Sequence, residues 1–181
     1  RPEELSSTRL AVKAHDALVK LNDGFREIYP GARFVAVVRH PFALAESWMR
    51  RGWGLEKVVS HFVGVGSAIA KEAQRCDVLL LRFDHVLGDP AEAIRLIDQH
   101  CNLDLSSLTH FRQQEKHVAQ ENETLENKMS RRLMWLDQAG LVDHLQPKVD
   151  QRQIGRLTDE TLDFLRPRMM NLSKDLGFDL D

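Results

Sequence analysis

An arginine and a serine eight positions apart give this sequence its clearest chemical signal. Arg39 follows the apolar run Phe34–Val38, and Pro41 begins a helical pattern that contains Ser47. Ligands of α/β sheets collect at the carboxyl ends of strands, and the first amides of a helix attract anions because they lack partners. Proline suits the first helical position, and a guanidinium binds phosphate or sulfate through two parallel hydrogen bonds. The sequence therefore predicts an anion site between a strand and a helix.

Both side chains also have an ordinary structural interpretation. Arg39 could pair with Glu46 or Asp84 at the surface, and Ser47 could donate to a carbonyl of its own helix. The anion-binding interpretation of Ser47 depends on its spacing from Arg39.

The elements that must position this site alternate along the chain. Two apolar runs, Phe34–Val38 and Asp77–Phe83, are predicted to be buried parallel strands. Helices are predicted to begin near Asp16, Pro41, Leu55 and Pro90. This alternation indicates an α/β fold with a parallel sheet in a single domain.

The last third of the chain has a different pattern. Residues 108–146 are polar and helix-prone, and Gln151–Arg156 is predicted to be a polar loop. A final helix is predicted after Thr158, and Pro167 is expected to cause a kink or a broken turn in it. The C-terminal part is therefore predicted to be mostly helical.

Composition limits the classes of partner. The chain has 25 Lys and Arg against 27 Asp and Glu, so no overall positive charge favours nucleic acid. No apolar run approaches the roughly 20 residues of a membrane span, and no signal peptide is visible. Cys76 and Cys101 lie in apolar patterns and are predicted to be buried free thiols, which favours a reducing, cytoplasmic location. No histidine spacing typical of a metal site occurs.

Three segments, taken in order, resemble the sulfotransferases that use 3′-phosphoadenosine 5′-phosphosulfate (PAPS). Residues 30–47 resemble the family's 3′-phosphate-binding strand, turn and helix. Residues 78–90 resemble its strand that ends in an acidic residue before an Asp-Pro helix start. Residues 151–177 resemble its C-terminal loop and terminal Leu-Gly-aromatic ending.

This resemblance implies a P-loop NTPase-like fold, a three-layer structure with a parallel sheet flanked by helices. It implies that Arg39 and Ser47 bind the 3′-phosphate of PAPS, that His15 is the general base and that Lys13 contacts the transferring group. Further nucleotide contacts are implied for three residues of the C-terminal segment, Arg152, Gly155 and Arg156.

The implied reaction transfers a sulfuryl group from PAPS to a hydroxyl or amine of a small molecule, glycan or peptide. The product nucleotide is 3′,5′-bisphosphoadenosine (PAP), and no metal is required. Such transfer depends on positioning and charge stabilisation, as phosphoryl transfer does.

One family motif has no match in this sequence. The family's N-terminal strand, loop and helix around the 5′-phosphosulfate is not found, so residues 1–181 are expected to form a sulfotransferase-like domain that lacks it. Gly64-Val-Gly66-Ser67 lies in a helical pattern and is not expected to bind phosphate. Two alternatives stay open: a non-catalytic interaction module on the same scaffold, and a small-molecule kinase, which the absence of a P-loop motif disfavours.

Overall fold

Two parallel strands and the helices around them form the first part of the protein. The computed structural model describes residues 11, 16–105, 110–114, 133–137, 139–141, 145 and 148–180. A 3₁₀ helix, Asp16–Leu21, leads into the following elements: α1 (Asn22–Ile28), β1 (Phe34–Val38), α2 (Pro41–Met49), α3 (Leu55–Glu72), β2 (Val78–Arg82), α4 (Phe83–Gly88) and α5 (Pro90–Cys101).

The last third contains strands as well as helices. Strands β3 (Phe111–Gln114) and β4 (Leu133–Leu136) pair antiparallel, so the prediction of a mostly helical region over residues 108–146 is wrong at these positions. Helices α6 (Val149–Ile154) and α7 (Asp159–Asp175) lie further along the described part of the chain. The predicted loop at Gln151–Arg156 is therefore largely helical.

The parallel pair brings two strand ends together. Strands β1 and β2 run parallel with Val38 opposite Arg82, so Arg39 and Phe83 leave the sheet side by side. Within the described residues this sheet has two strands, and the protein is an α/β fold with more helix than strand. The position of Arg39 at the carboxyl edge agrees with the sequence-based prediction.

Strand β1 is buried on one face only, which corrects the prediction of a strand buried on both. Val35 and Val37 are 37% and 52% exposed, whereas Val38 is 6% exposed. Side chains alternate between the two faces of a strand. Among the described residues the helices cover one face of β1, because the core forms on the side where α2 lies.

Helix α2 lies at the centre of the core. Ala43 and Ala45 are fully buried, and the helix packs against α3, α6 and α7. Gly66 of α3 approaches α7 so closely that a Cβ atom there would lie 2.8 Å from Cδ2 of Leu172. The segment Gly64–Ser67 thus lies inside a packed helix, as the sequence predicted, and Gly66 serves helix packing.

Side-chain caps fix the starts of α5 and α7, as the sequence predicted. Asp89 accepts from the amide of Glu92 at the start of α5, and Thr158 accepts from the amide of Thr161 at the start of α7. Helix α7 continues through Pro167 as one element.

Cys76 is exposed, contrary to prediction, because it lies in the turn before β2. No helix in the described ranges is both long and apolar enough to cross a membrane.

Candidate functional site

The candidate site lies where β1 ends and α2 begins. Arg39 follows the last residue of β1, and His40 is the N-cap of α2. The Nδ1 atom of His40 accepts from the amide of Phe42 at 3.2 Å, and Pro41 has no N–H. Fewer free amides therefore face an anion than the sequence suggested, because the histidine side chain caps one of them.

A carboxylate and an amide from α6 hold the guanidinium of Arg39. Its Nε donates to Oδ1 of Asp150 at 2.7 Å, and its second terminal nitrogen lies 2.6 Å from the same oxygen. That terminal nitrogen also donates to Oε1 of Gln153. Arg39 is paired with Asp150, and not with Glu46 or Asp84 as the structural interpretation of the sequence had considered. The partners are 111 and 114 residues away in the chain.

Glu46, a residue of α2, forms a second set of contacts with the region of α6 that holds Arg39. Its Oε2 accepts from Gln153 at 2.9 Å, and its Oε1 lies 3.2 Å from Arg156 and 3.4 Å from Arg50. Glu46 is only 6% exposed, so these donors offset the cost of burying its charge. Gln153 thus bridges Arg39 and Glu46, accepting from one and donating to the other.

The charges of the site leave a small positive excess. Three guanidinium groups, those of Arg39, Arg50 and Arg156, face two carboxylates, Glu46 and Asp150. The Arg50 and Arg156 side chains are 61% and 58% exposed, whereas that of Arg39 is 24% exposed. The site therefore has two exposed cations, Arg50 and Arg156, and one largely buried cation, Arg39.

Asp150 contains a polar atom that the described residues do not satisfy. The residue is 5% exposed, and its Oδ2 is buried with no hydrogen-bond partner among the described residues. An unpartnered buried oxygen on a charged group is costly and requires a donor or rearrangement. The pairing of Arg39 with Asp150 therefore leaves half of the carboxylate unpaired.

His40 lies beside this pair in an aromatic environment. Its ring contacts those of Phe42 and Phe178, with centroids 5.6 and 5.5 Å apart. Burial lowers the pKa of His40 below its usual value, although the nearby carboxylates of Asp150 and Asp84 act in the opposite direction. His40 is thus a neutral capping group whose protonation would remove the acceptor that holds the Phe42 amide.

Strand β2 contributes a second ion pair at the same edge. Arg82 binds Asp84 through two hydrogen bonds, of 3.1 and 2.5 Å, and the Arg82 hydrogen bond lowers the pKa of that carboxyl. The guanidinium carbon of Arg39 lies 5.2 Å from the ring centre of Phe83. Asp84, the acidic residue that follows β2, is therefore paired with Arg82 of the same strand and not with Arg39.

The structure brings together some of the residues predicted to bind the nucleotide. Hydrogen bonds connect Arg39 to Arg156 indirectly. Arg39 donates to Gln153, and both Gln153 and Arg156 donate to Glu46. Arg152 is exposed on α6, whose buried residues are Asp150 and Gln153. Gly155 is the C-cap of α6 and has a φ of −64°. A Cβ atom at this position would make ordinary van der Waals contacts, so the fold does not require glycine there.

Ser47 is outside the contacts that hold Arg39. It is 7% exposed in the second turn of α2, about 100° around the helix from Glu46. Within the described residues no hydrogen bond joins Ser47 to Arg39. The two catalytic candidates, Lys13 and His15, lie outside the described residues.

Sequence reasoning missed Asp150 and Gln153, and it did not foresee the bridging role of Glu46. Asp150 and Gln153 are three positions apart, which places them on one face of a helix. That signal was available, but the prediction of a loop over residues 151–156 concealed it. Among the described residues no group of three or more His, Cys, Asp or Glu side chains could hold a metal ion.

Comparisons with known proteins identify no relative. No family model matches the chain, and searches of curated proteins and of solved structures found no match either.

Proposed function

We propose that this chain is a PAPS-dependent sulfotransferase domain in which the β1–α2 junction binds the 3′-phosphate of the donor. One observation supports this proposal above the others. Gln153, in the segment that resembles the family's C-terminal nucleotide loop, accepts a hydrogen bond from Arg39, the arginine of the 3′-phosphate motif, which lies 114 residues earlier in the chain. Two segments chosen for resemblance to parts of one nucleotide site are thus neighbours in space.

In this proposal Arg39 is the main phosphate ligand. Its position after β1 and before α2 places a fixed cation at the carboxyl edge of the sheet, where ligands of α/β proteins collect. A phosphate dianion competes well for a guanidinium because charge-assisted, bidentate hydrogen bonds are the strong ones. Arg156, 58% exposed, is the second cation available to the nucleotide.

Bidentate phosphate binding through Nε and the engaged terminal nitrogen of Arg39 requires Asp150 to move aside. The Nε atom and one terminal nitrogen of Arg39 are engaged by Asp150 and Gln153 in this structure. Because Oδ2 of Asp150 lacks a partner among the described residues, the existing pair is less favourable than a fully satisfied one. We expect the nucleotide to displace the carboxylate, which then turns toward solvent or toward Arg50 and Arg156.

The remaining parts of the proposed machinery follow the resemblance. PAPS supplies the sulfuryl group, His15 accepts the proton of the acceptor hydroxyl or amine, and Lys13 stabilises charge on the transferring group. Ser47 is a second phosphate ligand in this proposal, and Arg152 and Gly155 lie within the nucleotide segment. The proposed fold is P-loop NTPase-like and has three layers, a parallel sheet with helices on both sides. Strands β1 and β2 are two adjacent strands of that sheet.

Transfer from isotopically labelled PAPS tests the proposal. The chain is incubated with PAPS labelled at sulfur and with panels of hydroxyl- and amine-bearing small molecules, glycans and peptides. We expect labelled product with at least one panel and loss of labelling in the double variant Arg39→Gln/Asp150→Asn. The double variant removes the cation without leaving a buried carboxylate unpaired. Labelling unaffected by this variant would contradict the proposed role of Arg39.

A non-catalytic binding module is the second candidate. The observation in its favour is that Arg39 is already tied to α6, which is what a purely structural arginine would show. PAP binding without any sulfuryl transfer would support this candidate over the enzyme.

A further inference from the structure

A cavity of about 640 Å³ opens beside the carboxyl end of β2, apart from the contacts of Arg39. It is enclosed by the end of β2, by α4, by the first turns of α5 and by the last turn of α7. Ligand pockets of roughly 300–1,000 Å³ with mainly apolar walls are typical sites for small molecules. The cavity therefore has the size and location of a ligand site that the proposed 3′-phosphate site does not use.

The floor of this cavity is apolar. Leu80, Leu81, Ala93, Leu96 and Leu176 line it, and of these Leu81, Ala93 and Leu176 are buried. Burial of an apolar ligand body against such a floor is favourable in proportion to the area removed from water. The body of a matching ligand is hydrocarbon or aromatic.

The rim of the cavity has an acidic excess. Four carboxylates, Asp84, Asp89, Glu92 and Asp175, face two cations, Arg82 and Lys174. The carboxyl end of the 17-residue helix α7 also points here, and the carboxyl end of a helix has a partial negative charge.

Existing contacts engage three of the four carboxylates and leave Asp175 for a ligand. Arg82 is engaged by Asp84 and by the carbonyl of Gly177, so it is not available to an anionic ligand. The amino end of α5 is capped by Asp89, and Glu92 is paired with Arg95. Asp175 has no ion pair with any described residue and lies next to the carboxyl end of α7.

We propose that this cavity binds an organic ammonium ion with an apolar body. The apolar floor takes the body, and Asp175 together with the carboxyl end of α7 faces the ammonium group. Lys174 is the one cation of the rim without an ion pair among the described residues, and its side chain is exposed to solvent. This inference does not depend on the proposed sulfotransferase activity.

Three probes of the same shape and different charge test the proposal. The full chain is titrated with 4-phenylbutylammonium, 4-phenylbutanol and 4-phenylbutanoate, and binding is followed by calorimetry and by NMR shifts of the amides of Ala93, Leu96 and Gly177. We expect all three probes to shift these amides, with the ammonium ion binding tightest and the carboxylate weakest. The amide of Gly64, which is on α3 and does not line the cavity, is the internal control.

A charge reversal at the rim tests the electrostatic part. Asp175→Lys changes an exposed side chain and should weaken ammonium binding by roughly three- to tenfold while strengthening carboxylate binding. Asp163→Lys is the matched control, because Asp163 is an exposed acid of the same helix that does not line the cavity. Leu96→Trp should weaken all three probes by filling the floor.

Three results would overturn the proposal. They are the absence of shifts at the lining amides with every probe, carboxylate binding equal to or tighter than ammonium binding, and equal effects of Asp175→Lys and Asp163→Lys. Circular dichroism of each variant establishes that the fold is retained.

Discussion

Arg39 Nε lies 2.7 Å from Oδ1 of Asp150, while the other oxygen of that carboxylate is buried without a partner among the described residues. The pair joins the strand–helix junction to a helix 111 residues further along the chain. It occupies the guanidinium that the sequence assigns to phosphate. If Arg39 binds the nucleotide as we propose, Asp150 is an internal anion that competes with it.

Neutralising this internal anion should strengthen nucleotide binding. Asp150→Asn removes the charge that competes for Arg39 but retains a side chain of the same shape. A gain of about 1 kcal/mol, roughly fivefold in the dissociation constant of PAP, is expected because the competing carboxylate is removed. Calorimetric titration measures it, with Asp163→Asn as the control. Unchanged or weaker PAP binding by Asp150→Asn would argue against competition at Arg39.

Protonation of His40 should destabilise the fold on the acid side of neutrality. Burial lowers its pKa below the usual value of about 6.5, so the unfolded chain binds a proton more readily than the folded protein. The stability linked to neutral His40 is present above that usual value and is lost as pH falls toward the lower pKa of the folded state.

The comparison with His40→Asn isolates this effect, because Asn also caps helices but does not titrate. Urea unfolding between about pH 5 and 8 should show a steeper loss of stability for the parent chain than for the variant. Parallel stability curves for the two proteins would show that His40 is not the group responsible.

The two glycines of α3 should respond in opposite directions to alanine. A Cβ atom at Gly66 would lie 2.8 Å from Leu172, so Gly66→Ala should lower the free energy of unfolding by about 1–2 kcal/mol. Gly64 is exposed and has no described atom within 4 Å of its Cβ position, so Gly64→Ala should raise stability by roughly 0.5–1 kcal/mol. Denaturant unfolding of both variants checks this, and equal effects would contradict the packing of Gly66 against α7.

Arg26 should contribute strongly to the stability of the protein at the amino ends of β1 and β2, opposite the candidate site. Its guanidinium lies 2.6 Å from Asp77 and 2.8 Å from Glu72, and all three side chains are at most 21% exposed. Arg26→Met leaves two largely buried carboxylates without their main partner and should cost about 2–4 kcal/mol. Arg95→Met, which breaks an exposed pair with Glu92, is the control and should have a small effect.

The effect of Arg26→Met should also depend on pH. The hydrogen bond from Arg26 lowers the pKa of Asp77 below its usual value of 3.8. The stability contributed by the pair is therefore present above that value and is lost as pH falls through the lower pKa of the folded state. The difference between parent and Arg26→Met should shrink in acid, and a constant difference would exclude this pair as its source.

Local signals in the sequence predicted the elements around the site. Asp89 before Pro90 and Thr158 before the last apolar pattern mark helix starts that the structure shows. The position of Arg39 at the carboxyl edge followed from the apolar run before it. These features depend on neighbouring residues, which is why sequence reasoning could find them.

Long-range contacts determined what the sequence did not reveal. Helix α6 is six residues long, too short to be stable alone, and its polar residues Asp150 and Gln153 are held by Arg39 and Glu46. A polar segment of this kind is predicted to be a loop when its distant partners are unknown. The single-sided burial of β1 likewise depends on which helices cover it.

The binding of PAP compared with that of 5′-AMP, which lacks the 3′-phosphate, tests whether Arg39 binds the 3′-phosphate. Calorimetry is applied to the parent chain, Asp150→Asn and Arg39→Gln/Asp150→Asn, the last of which keeps α6 free of an unpaired buried charge. We expect the parent and Asp150→Asn to bind PAP at least roughly tenfold more tightly than 5′-AMP, and the double variant to lose this preference. A double variant that still prefers PAP to the same extent would show that Arg39 does not bind the 3′-phosphate.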